Sequence, residues 1–151
     1  MTPEQDAAVK WFAQFFYPCF KAQHKPNNIP LDALKILTEF TFNQNGITAE
    51  HFLEIVQKSI PQPFLDLYNY ANKHNYETWT LQVVKDFSLY LHPRTAKCVF
   101  HEGLVVSKNR KTIKVRTTQG KLVVSQNIYN LQVKKNDYVY IHSHALVKKL
   151  K

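Results

Sequence analysis

Leu104-Val105-Val106-Ser107-Lys108-Asn109-Arg110-Lys111-Thr112-Ile113-Lys114-Val115-Arg116-Thr117-Thr118-Gln119-Gly120-Lys121-Leu122-Val123-Val124 reads as three short strands joined by two tight connections. β-Branched residues dominate the apolar runs, and Asn109-Arg110 and Gln119-Gly120 supply turn chemistry between them. Within Ile113-Lys114-Val115-Arg116 the period is two, so Ile113 and Val115 share one face and Lys114 and Arg116 the other. Towards the N-terminus, Cys98 and Phe100 extend the first strand. Towards the C-terminus, residues 133–137 form a turn, Tyr138-Val139-Tyr140-Ile141 a fourth strand and Ala145-Leu146-Val147 a fifth. Strands so short and so few cannot bury a flat sheet. Residues 94–151 are therefore expected to curl into a small SH3-like or OB-like β-barrel.

Before Pro93 the hydrophobic period is 3.6, which predicts a helical domain over residues 1–93 and an α+β chain. Thr2-Pro3-Glu4-Gln5 is a helix start in which Thr2 caps and Gln5 completes a capping box. Trp11, Phe12, Phe15, Phe16 and Phe20 follow at helical spacing, and Pro18 is expected to kink or end this helix near Tyr17. A second helix is expected from Leu31 to about Gln44, and a third capped by Thr48. After the Pro61-Gln62-Pro63 break a short fourth carries Leu65 to Ala71, and a fifth runs from about Glu77 to Leu91. Most of the aromatic residues should form the helical core. Phe15, Phe16, Tyr17 and Phe20 span a wide arc, so some are expected at a surface for a protein partner or a homodimer.

The chain has 151 residues, 44% of them hydrophobic and 21% charged, which suits packed domains and excludes a disordered or fibrous class. Its charge is unevenly placed. Residues 96–151 carry 12 Lys and Arg against only Glu102 and Asp137, a net of +10, whereas residues 1–95 carry 8 against 9 carboxylates, a net of −1. Repulsion within the basic half costs stability, which points to an acidic partner: nucleic acid first, RNA or single strands, with an acidic protein as the alternative. Lys108, Arg110, Lys111, Lys114, Arg116 and Lys121 are the expected phosphate ligands, and Tyr138 and Tyr140 (with Tyr129) the rings that stack on bases if they face outward. A lysine-rich face that only maintains solubility is the competing reading. Lys outnumbers Arg ten to two in this half, which favours backbone contact over bidentate base reading.

Catalysis is not expected. No P-loop, GxGxxG, GxSxG or HExxH occurs, and Glu50 with Glu54 reads as a solvated helix face rather than an acid/base pair. Two lone cysteines, Cys19 and Cys98, suit a reducing compartment. The first residues lack a basic signal region and no apolar run reaches 18 residues, so a cytoplasmic protein without a membrane segment is expected. His142 and His144, two apart on a strand, with His101 or Cys98 nearby, are the residues from which a metal site would be built.

Two resemblances bear on function. Cys98-Val99-Phe100-His101-Glu102-Gly103 and Asp137-Tyr138-Val139-Tyr140-Ile141-His142, with Ala145 and Lys149-Leu150, resemble the opening and closing segments of the HypC/HupF family, small-barrel chaperones of [NiFe]-hydrogenase maturation. The resemblance spans the C-terminal third, with Glu102 standing where that family has a proline. It implies a barrel and a maturation chaperone or adaptor in which Cys98 and His142 would hold iron, in place of an expectation of no cofactor. Phe16-Tyr17-Pro18-Cys19-Phe20 followed by Pro30-Leu31 is faintly similar to the opening of ProQ/FinO RNA chaperones, which again implies RNA as partner.

Overall fold

The computed structural model describes residues 1–23, 30–92, 100–142 and 145–150, and the chain divides into two compact units, Met1–Ala96 and Lys97–Lys151. The first unit contains α1 (Pro3–Gln23), α2 (Leu31–Thr41), α3 (Ala49–Ser59), α4 (Pro61–Lys73) and α5 (Leu81–Asp86), the last continuing into a π-helical turn over Phe87–Leu91. Among the described residues no helix is long and apolar enough to cross a membrane.

Local chemistry sets these boundaries. The capping box at the start of α1 is formed in full: the Thr2 N–H donates to Gln5 Oε1 at 2.8 Å and the Gln5 N–H to Thr2 Oγ1 at 3.1 Å. Thr48 caps α3 by accepting from the His51 N–H at 3.1 Å. Pro61 opens α4 instead of separating it from a later helix, because a proline in the first turn has no helical N–H to lose.

Of the two outcomes expected at Pro18, a kink or an end, the helix does not end there: α1 runs through Pro18 to Gln23. A proline in a helix interior costs about 3 kcal/mol, whereas fully burying a large apolar side chain returns about 1.5–3 kcal/mol. The turns around Pro18 bury Phe15, Phe16, Tyr17, Cys19 and Phe20, so packing outweighs the lost bond. Those same aromatics were expected in part at a docking surface; they belong to the core. The Phe12 ring lies 4.4 Å from Phe16, 4.8 Å from Phe64 and 5.6 Å edge-on from Trp79. Lys10 packs against this core from α1, its ammonium donating to the Phe40 carbonyl and standing 4.2 Å from the Phe40 ring centroid. Burial lowers its pKa. The fifth helix is shorter than expected. Thr80 caps it by accepting from the Val83 N–H, and after Asp86 the His92 N–H bonds to the Phe87 carbonyl, the five-residue step of a π-turn.

The second unit holds β1 (Phe100–Lys108), β2 (Thr112–Thr117), β3 (Leu122–Gln126), β4 (Tyr138–His142) and β5 (Ala145–Lys149). Pairing runs β1-β2-β3-β5-β4 and returns from β4 to β1, so the sheet closes on itself. All ladders are antiparallel except β3–β5, which is parallel and registered at Gln126 opposite Ala145. The interior is aliphatic: Val105, Ile113, Val115, Val133, Val139, Ile141 and Leu146, with Val123 and Leu131 against it. Gly103 is required where β1 crosses β2, since a Cβ there would run into the Arg116 carbonyl oxygen. Gly120, at φ +82°, makes the β2–β3 turn.

Candidate nucleic-acid interface

Alternation along β2 turns Ile113, Val115 and Thr117 inward and Lys114 and Arg116 outward to solvent. Register then fixes their neighbours. Arg116 lies between Leu104 of β1 and Leu122 of β3, and Lys114 lies opposite Val124 of β3. Leu104, Leu122 and Val124 are 46%, 56% and 58% exposed. The outer surface of β1–β3 is thus a mixed face in which cations alternate with solvent-facing aliphatic side chains.

Basic residues continue from both ends of β2. Arg110 and Lys111 are exposed at the tip of the β1–β2 connection, which Asn109 shapes by accepting from the Lys111 and Thr112 N–H groups at 3.2 and 3.0 Å. At the other end Lys121 is held beside β2 by paired bonds with Thr117, and Arg116 reaches the Gly120 carbonyl at 3.5 Å. From Lys111 to Thr117 a strand rises about 20 Å, so Arg110, Lys111, Lys114, Arg116 and Lys121 form a basic track of that length.

Two expected site residues have other duties. The Lys108 ammonium donates to the Val133 carbonyl at 2.7 Å, which ties the end of β1 to the segment before β4. Tyr140 does not face outward: it is 4% exposed and its ring lies 6.1 Å from Phe100, so it has no face for a base. Tyr138 is half-buried and registered opposite Leu104, at the border of the mixed face. Its pKa is raised by desolvation and then by the Glu102 carboxylate that its hydroxyl meets.

The two carboxylates of this unit differ. Asp137 is buried, accepting from the Lys134 N–H at 2.9 Å and paired with Lys149 at 3.2 Å. The backbone N–H of Lys134, then Lys149, holds its pKa below the usual value. Glu102 is exposed and remains as the surface carboxylate.

Of the residues considered for a metal, His142 is fully buried and stacks on Phe100, the ring centroids 4.8 Å and the planes 9° apart. Cys98 and His144 lie outside the described residues, as does Lys97. Among the described residues no group of three or more His, Cys, Asp or Glu stands together as a metal site.

Sequence reasoning missed Leu104, Leu122 and Val124 as surface residues. The signal was present: Leu104-Val105-Val106 and Leu122-Val123-Val124 are unbroken apolar runs, and a pleat sends alternate members to opposite faces. No protein-family model, curated protein or solved structure matches the chain.

Proposed function

We propose that the β-unit binds nucleic acid, RNA or single strands, without catalysing a reaction on it. Phosphates lie along Arg110, Lys111, Lys114, Arg116 and Lys121, and bases rest on the aliphatic side chains between them. One observation carries this reading: Lys114 and Arg116 are registered against the exposed Leu104, Leu122 and Val124. A surface serving solubility alone would be polar there, whereas a strand of bases and phosphates needs both kinds of contact. The net charge of +10, with Asp137 already neutralised by Lys149, supports the same partner. The strand order, with β3 and β5 parallel, favours an OB-like over an SH3-like barrel. OB-like barrels bind oligonucleotides across strands 2 and 3.

The test is fluorescence anisotropy of the full chain with a labelled single-stranded RNA and a duplex DNA across a salt series. Five phosphate contacts predict a log–log salt slope of about −3.5 for a single strand. Lys114→Glu combined with Arg116→Glu should flatten that slope by about 1.4 and weaken binding at least tenfold, with an unchanged melting temperature. Unchanged affinity in this variant removes the face from the proposal, and absence of binding at low salt leaves the charge to an acidic protein.

A further inference from the structure

The mixed face contains a depression of ≈ 330 Å³ over β1, at the small end of ligand-binding cavities. Its walls are predominantly apolar, with Leu104, Val106 and Tyr138 among them. Arg116 borders it from β2 and Lys135 from the turn before β4, so cations stand on both sides of β1. The register of β1 against β2 slips between Val105 and Ser107, leaving Val106 as the extra residue of a bulge. Bulges re-aim side chains, and here the extra valine contributes to a cavity wall. Thr118 and Asn136 add a hydroxyl and an amide to the lining.

We infer that this cavity receives one unstacked base of the bound strand, its ring against Leu104, Val106 and Tyr138 and the phosphates on either side of it on Arg116 and Lys135, the latter a sixth contact that steepens the expected salt slope to about −4.2. The inference rests on the nucleic-acid reading above and gives it a specific subsite. A planar apolar ring flanked at short intervals by negative charge is the chemistry of a nucleotide chain, and it matches an apolar hollow flanked by two cations. Tyr138, half-buried and registered opposite Leu104, stands at the cavity edge. The Asn136 amide and Thr118 hydroxyl are of the kind that read the edge of a splayed base.

The experiment compares two single-stranded oligonucleotides of equal length on the full chain, one intact with 2-aminopurine at a central position and one abasic there. The expected result is about tenfold tighter binding of the intact strand, with a change in 2-aminopurine fluorescence on binding. In the neutral variant Leu104→Gln with Val106→Thr, the preference for the intact strand over the abasic one should fall to near unity, with the salt slope unchanged because no cation is removed. Equal binding of both strands by the wild-type protein, or no fluorescence change, overturns the base subsite and leaves the phosphate track standing. Failure of both strands to bind at low salt overturns the subsite together with the nucleic-acid reading. The fluorescence readout on unmodified protein decides the matter even if the variant does not fold.

Discussion

The helical unit buries Phe12, Phe15, Phe16, Phe20, Phe52, Phe64 and Phe87 completely, whereas the β-unit leaves Leu104, Leu122 and Val124 about half in solvent. Both units expose some large apolar residues, but in different ways. Leu31, Leu65, Tyr76 and Tyr90 of the helical unit lie on separate elements, an ordinary pattern for a protein surface. Leu104 and Leu122 flank the same arginine across three registered strands. The charge divides in the same way, net −1 in residues 1–95 and +10 in residues 96–151. In the first unit apolar surface serves stability. On the outer face of the second it is available for contact.

The contrast is broken or sharpened by four variants, in order of expected effect. Phe16→Ala removes a fully buried ring that also touches Phe12 at 4.4 Å and should cost about 3–5 kcal/mol. Urea unfolding followed by tryptophan fluorescence reads this unit specifically, since both tryptophans, Trp11 and Trp79, belong to it. A loss under about 1 kcal/mol would contradict the packed core. Gly103→Ala forces the β1–β2 crossing apart and should cost about 1–3 kcal/mol, read by far-UV circular dichroism. A neutral result would mean that the strands separate there at no cost.

Asp137→Asn should lower the melting temperature by a smaller amount, and in a pH-dependent way. A carboxyl whose native pKa is depressed contributes stability that is complete above its unfolded value, 3.8, and lost as pH falls through the lower native value. The gap in melting temperature between parent and variant should therefore be widest near neutrality and narrow below pH 3.8. A gap independent of pH would assign the loss to packing. Smallest in stability is Leu122→Ser with Val124→Ser, expected within about 0.5 kcal/mol of the parent because both residues are already more than half exposed. The same variant should weaken oligonucleotide binding severalfold. A stability loss approaching that of Phe16→Ala would show that these residues complete a core.

Some of this was legible in the sequence because the physics is local. The Thr2–Gln5 box, the Thr48 cap and the outward pair Lys114 and Arg116 follow from spacing alone. What was not legible depends on tertiary packing. Pro18 argued for a helix kink or end, and the burial of the side chains around it favours an α1 that does not end there. Tyr140 has the same strand parity as Tyr138, yet Phe100 packs near Tyr140, so identical local signals give one ring at the surface and one buried. Lys108 resembled its basic neighbours, and its bond to Val133 spans 25 residues that no local rule connects.

The closure of the β-unit also bears on how it folds. The β1–β2 and β2–β3 ladders join neighbours in the chain, as at Lys108 with Ile113 and Arg116 with Leu122. The ring is completed only when Phe100 meets His142 and Gln126 meets Ala145. Distant pairings must offset loop-closure entropy before their contacts reward them. The three-stranded meander is therefore expected to form early and the ring to shut late. The parallel β3–β5 seam, with one registered pair among the described residues, is where backbone amides of the ring are expected to exchange first, as hydrogen-exchange mass spectrometry would read.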